Sequence, residues 1–264
     1  MKKLLKKEKL LSSVFVMGLL TLAACGGNND DNNDSSDQPP QQQEETGARN
    51  FTVTIQNVSR PGLLRTSLAE GTVPLSPGVY AVYGAEMENP AFTPGQMADI
   101  GTERIAEDGF IEPPMGFETT LLTDAKSSGS FSAPGGVPNS PEITAGESTT
   151  FTVSAVPGDR LTFETMFVQS NDWFFADSGQ GIALFDAAGN PASGDVTSQV
   201  ALWDAGTEID EKPGKGIYQK LLQAPDATDV GPQENRNIEK VSSRYSGWRI
   251  PQNSEVIKVI ITPQ

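Results

Sequence analysis

The sequence predicts an all-β domain, an antiparallel β-sandwich with one or two short helices. Three observations carry this expectation. Six segments alternate apolar and polar residues or run apolar over a strand's length, Gly/Pro/Asp/Asn clusters separate them, and helical spacing is persuasive in one stretch.

Taken in order, "FTVTIQNVS" (51–59) sets Phe51, Val53 and Ile55 against Thr52, Thr54 and Gln56, the period-two pattern of a half-buried strand. "GVYAVYGA" (78–85) reads as a second strand. "GQMADIGTERIAEDG" (95–109) is the predicted helix, with Met97, Ile100 and Ala106 on its apolar side and Gly109 as its stop. "STTFTVSAV" (148–156), "RLTFETMFV" (160–168), "GIALFD" (181–186) and "SEVIKVIITP" (254–263) are four further strands. "PGDR" (157–160) and "DAAGNPASGD" (186–195) are turns, because Gly permits positive φ and Pro fixes φ near −65°. The acidic spacing of 186–195 lacks the alternating ligands and terminal Glu of a helix-loop-helix calcium site. "AEDG" (106–109) ends the helix. No internal repeat is present.

The N-terminus gives an address. Lys2, Lys3, Lys6, Lys7 and Lys9 precede the apolar run "LLSSVFVMGLLTLAA" and then Cys25. This is the layout of a signal peptide over residues 1–24. The run holds about 15 residues, short of the roughly 20 that a spanning helix needs. Its end, "LAAC", resembles a bacterial lipoprotein signal, in which the Cys is acylated and becomes the first residue. Cys25 is the single cysteine of the chain, and lipidation accounts for it. Gly26 follows where an Asp would favour retention at the inner membrane, so the expected location is the outer membrane, facing either the periplasm or the surface. Residues 25–49 form the lipidated Cys and a tether: "GGNNDDNNDSSDQPPQQQEETGAR" (26–49) is polar and acidic, with no hydrophobic period. The folded domain is expected over residues 50–264.

Composition excludes several chemistries. The chain has no His, so no Ser-His-Asp triad, His proton shuttle or His-ligated zinc is available. With Cys25 committed to the anchor, thiol catalysis and Cys-ligated metals are excluded as well. Loss of five Lys and one Glu with residues 1–24 takes the net charge from −15 to −19. Such a chain is repelled by phosphate backbones, and nucleic acid is not an expected partner. Carboxylates, hydroxyls, amides and backbone carbonyls remain plentiful, and oxygen is what hard cations take as ligand.

Two acidic stretches stand out. "SNDWFFADSGQG" (170–181) puts Asp172 directly before Trp173, Phe174 and Phe175. Asp172 is expected where a core strand emerges into a loop, with the aromatics plugging the end of the sandwich. "ALWDAGTEIDE" (201–211) repeats the pattern: Leu202 and Trp203 lead into Asp204, Gly206, Thr207, Glu208 and Asp210. Two loops with aromatic anchors and acidic tips can surround one ion. Ca²⁺ takes six to eight oxygens at about 2.3–2.6 Å. Asp in turns also serves local backbone hydrogen bonding, so these stretches alone are compatible with plain structure.

"SNDWFFA" followed by "LWDAGTE" resembles the signature of the spondin domain, the N-terminal module of F-spondin and mindin. "FTVTIQNVS", "PLSPGVYAVY", "AEDG", "PGDRL", "IALFD" and "SGDVT" are similar to blocks in its bacterial members, in order across roughly residues 50–264. The resemblance implies a β-sandwich similar to calcium-dependent membrane-binding domains, with Ca²⁺ as its cation. It assigns ligand roles to Asp172, Asp204 and Glu208. Glu208 stands where the family has Asp, one methylene shorter. Animal members add an acidic ligand from the preceding strand, for which Glu164 and Glu147 are the candidates. They also carry disulfides, which this mature domain lacks.

The functional expectation is a lipid-anchored cell-envelope binding or adhesion module, monomeric and not an enzyme, with an envelope or extracellular protein or glycan as ligand. The alternatives are a purely structural envelope lipoprotein and a carboxylate-dependent glycan hydrolase. The last needs two carboxylates and no His.

Overall fold

The computed structural model describes residues 47–111, 117, 122–134, 142–245 and 247–264. These belong to a unit running from Glu44 to Gln264. Residues 1–46 lie outside the described residues, so Cys25 and the tether up to Thr46 are not placed; Arg49, the end of the expected tether, already pairs with Ala155 in a sheet.

The fold is mostly β, with two antiparallel sheets. The smaller sheet contains β1 (Arg49–Asn57), β4 (Ser148–Ala155), β8 (Gly194–Asp195) and β11 (Ile257–Pro263), in the order β4-β1-β11-β8. The larger has seven strands: β2 (Leu75–Gly84), β3 (Ser127–Phe131), β5 (Asp159–Phe167), β6 (Trp173–Asp177), β7 (Ile182–Ala183), β9 (Val200–Asp204) and β10 (Glu239–Lys240). Six of them run in the order β10-β9-β6-β5-β2-β3, and β7 pairs with β5.

The two sheets differ in how many faces they bury. In β1 and β4 buried and outward residues alternate, so the smaller sheet gives one face to the core and one to water. Phe51, Val53, Ile55, Val153, Val259 and Ile261 from that face meet Leu161, Phe163, Phe167, Trp173, Phe175 and Leu202 of the larger sheet. The other face of the larger sheet is also covered. Val79, Ala81, Phe174, Ala176, Ala201 and Trp203 pack there against Phe92, Ile105, Ala106 and Phe117. Strands β6 and β9 are therefore buried at every position. A strand buried on both faces needs a continuous apolar run rather than alternation.

The covering helix is α1 (Ile100–Asp108). Asp99 caps it, its Oδ1 accepting from Gly101 N and Thr102 N at 2.9 Å each. Gly109 ends it in the left-handed region at φ 67°, as its sequence position predicts. The start falls five residues later than the expected 95. Gly95 N and Ile238 N instead bond to other loops, and Met97 bridges Asn237. Met97 and Ile100 are exposed, so the buried stripe runs through Ile105 and Ala106. A second helical turn, α2, covers Val241–Arg244. Of the expected strands, 51–59, 78–85, 148–156 and 160–168 appear within a few residues of their limits. The 181–186 strand shrinks to β7, and 254–263 begins with a 3₁₀ turn at Asn253–Glu255. Strands β3, β6, β8, β9 and β10 lie outside the expected strands, β8 at the end of the expected turn 186–195.

Candidate metal centre

The aromatic stretch after Asp172 is not a loop plug but strand β6. Its antiparallel partner is β9, with Trp173 opposite Asp204 and Phe175 opposite Leu202. Side chains alternate across the sheet, so Trp173 and Phe175 enter the core between the sheets while Phe174 and Ala176 face α1. The register also brings the start of β6 beside the end of β9, and with them Asp172 and Asp204.

Asp172, Asp204 and Asp210 each offer a carboxylate oxygen, and these three atoms lie within 4.8 Å of one another. The sequence predicted the first two. Asp172 is fully buried, and its Oδ2 accepts from Thr207 N and Glu208 N at 3.1 Å each. Its Oδ1 has no hydrogen-bond partner. Asp204, also fully buried, accepts from Gly206 N (2.8 Å) through Oδ1 and from the Tyr245 hydroxyl (3.0 Å) through Oδ2. Asp210 Oδ1 accepts from Trp173 Nε1 at 2.7 Å. The Tyr245 ring lies 5.5 Å from Trp173 and stacks on Trp248. Aromatics thus hold two of the three carboxylates through polar edges as well as by packing.

Glu208 does not join this group; Asp210 is the third carboxylate. The chain turns at Gly206, which sits at φ 70° with a virtual Cβ only 2.6 Å from the Arg236 carbonyl oxygen. After this turn the amides of Thr207 and Glu208 point at Asp172, while the Glu208 side chain accepts from Gly231 N at 2.6 Å through Oε1. Asp210 was legible as one of the acids crowding the turn, but nothing local marked it as the one that reaches Trp173. Glu164 and Glu147 join no group of three acids among the described residues. Glu164 is fully buried beside Thr102, and Glu147 accepts from Thr144 N and Thr144 Oγ1 in a turn. Asp186, read as a turn residue, accepts from Ala188 N, Asn190 N and Asn190 Nδ2.

Crowded negative charge dominates the electrostatics around Asp172. Burial first, and then Asp204 and Asp210, hold the Asp172 carboxyl well above the usual carboxylate range. Carboxylates at this spacing repel one another when ionised, and a shared positive ion reverses the local charge balance. A second acidic group, Glu103, Glu107 and Asp229, meets the same 4.8 Å spacing. No local pattern marks it, because Glu107 reads as part of a helix end. No protein-family model and no curated protein matches the chain.

Proposed function

We propose that the chain is a lipid-anchored cell-envelope binding module of the outer membrane, held through Cys25, whose sandwich carries Ca²⁺ at Asp172, Asp204 and Asp210. The observation that carries the cation reading is the buried Asp172 Oδ1, which has no hydrogen-bond partner and belongs to a group of three carboxylates within 4.8 Å. Leaving a buried acceptor unpaired costs about 1–3 kcal/mol, more for a charged group, and a bound cation removes that cost. All-oxygen donors select a hard ion, and the loop origin of Asp210 suits the irregular, six- to eight-fold shell of Ca²⁺ better than the strict octahedron of Mg²⁺. The resemblance of "SNDWFFA" and "LWDAGTE" to the spondin signature supports the same pair, Asp172 and Asp204, with Asp210 replacing Glu208 in the ligand set.

The ligand of the module is an envelope or extracellular protein or glycan, and the net charge of −15 disfavours nucleic acid. The test is thermal unfolding of the full-length protein with EGTA, Ca²⁺ or Mg²⁺. A Ca²⁺-dependent rise in Tm that Mg²⁺ reproduces weakly supports the site; identical Tm in EGTA and saturating Ca²⁺ removes it.

A further inference from the structure

The acids Glu103 and Glu107 lie four residues apart on α1 and so share one helix face, a like-charge spacing that weakens a helix. Asp229 joins them from the loop that follows β9, bringing one oxygen of each within 4.8 Å of the others. Acidic clusters alone are common on protein surfaces. Here two buried carboxylates argue for an occupant. Glu107 is 2% exposed and its Oε1 has no hydrogen-bond partner; Glu208, adjoining the group, is fully buried and its Oε2 has none either. Gly231 backs Glu208 so closely that a Cβ there would fall 2.2–2.4 Å from its carboxylate atoms.

Neighbouring cations do not neutralise the group. Among the described residues, neither Glu103 nor Glu107 nor Asp229 is in an ion pair. Lys220 is taken by Asp108 (3.3 Å) and the Ala227 carbonyl oxygen (2.7 Å). Arg104 favours the ionised form of Glu103, but burial and Asp229 outweigh it. Burial lifts Glu107 to about 8, with the charge of Glu208 adding to it and a Thr207 hydrogen bond opposing it, and lifts Glu208 to about 7, with Asp108 and Asp229 adding.

We propose that Glu103, Glu107 and Asp229, with Glu208 beside them, form a second divalent-cation site of the carboxylate class, filled by Ca²⁺. The two sites share one wall. The Thr207–Glu208 amides hold Asp172 of the first, while the Glu208 side chain borders the second. Filling either fixes the same short segment, so the second ion binds more tightly once the first is in place. Asp229 is exposed, which leaves the second site open to water and to an outside ligand's oxygen.

Calorimetric titration of the full-length protein with CaCl₂ alone tests this. Wild type takes up two equivalents. Glu107→Gln, which keeps the side-chain shape, and the surface change Asp229→Asn each lose one equivalent or weaken it at least tenfold, while Asp172→Asn loses the other. If Glu107→Gln does not fold, Asp229→Asn decides by itself. Uptake of a single equivalent that only Asp172→Asn removes, or two equivalents unchanged in Asp229→Asn and Glu107→Gln, overturns the second site. A single equivalent lost in Asp229→Asn but kept in Asp172→Asn supports it and overturns the first.

Discussion

The carboxyl group of Glu164 is fully buried beside Thr102, and its pKa is held well above the usual carboxylate range. Burial is the main cause of its raised pKa, with Asp99 next. Thr102 Oγ1 lies 3.1 Å from the Ala91 carbonyl oxygen and 3.2 Å from Glu164 Oε1. The Thr102 hydroxyl is the donor in both contacts, and its bond to Glu164 opposes the rise by favouring the ionised form. The folded-state pKa stands above the unfolded value near 4.5, so the stability this group allows is fully present below pH 4.5 and is lost as pH rises toward the folded value. The loss runs at about 1.4 kcal/mol per pH unit across that window. Glu164→Gln removes the titration, and chemical denaturation across pH 4–8 is expected to show the variant gaining on wild type as pH rises; parallel curves would mean that the carboxyl is already ionised in the fold. At the candidate metal centre, Asp204→Ala deletes a proposed ligand and the acceptor for Gly206 N and Tyr245. It is expected to abolish the Ca²⁺-induced rise in Tm, whereas Asp186→Ala, in an exposed turn, leaves that rise intact.

At the scale of elements, the decisive feature is the two-sided burial of β6. Phe174 packs edge-on to Phe92 at 5.4 Å, and Phe92 also meets Trp203 at 5.2 Å, so this outer cluster ties α1 and its flanking loops to the sheet. Phe174→Ala leaves a cavity and is expected to cost about 3–5 kcal/mol. Thr150→Ala, on the outward face of β4, costs less than about 1 kcal/mol. Urea denaturation of both variants checks the contrast, and similar losses would mean that the smaller sheet is covered on its outer face too. The same reasoning fixes α1. Asp99→Ala removes an acceptor that two amides share, worth about 1 kcal/mol, and loosens the helix that presents Glu103 and Glu107. Ca²⁺ uptake by the second site is expected to weaken before that by the first.

For the whole molecule, the proposed ion binding would be linked to stability. A cation at 100 times its dissociation constant adds about 2.7 kcal/mol per site if the unfolded chain does not bind it. The domain has no disulfide to fall back on, since Cys25, outside it, is the lone cysteine of the chain. Anchoring belongs to this scale as well. Cys25→Ser is expected to move the protein from the membrane fraction to the soluble one; a variant that still sediments with membranes would refute the lipid anchor.

The sequence by itself determined the fold class, four of the longer strands, the helix stop, and the nearness of Asp172 and Asp204 to aromatic anchors. Those features are set within a few residues by backbone sterics and side-chain period, as in the alternation of β1 or the positive φ of Gly109. It did not determine that "WFFAD" is a strand, because a run buried on both faces has no period to read, and its second face exists only once α1 lies across it. Nor did it determine the ligand set. The pairing of Trp173 with Asp204 joins two distant segments, and the turn at Gly206 then sends Asp210 toward Trp173 and Glu208 toward Gly231. Which of two nearby acids meets Asp172 is a question of direction in space, and direction after a turn is decided by the contacts that the folded chain makes on either side of it.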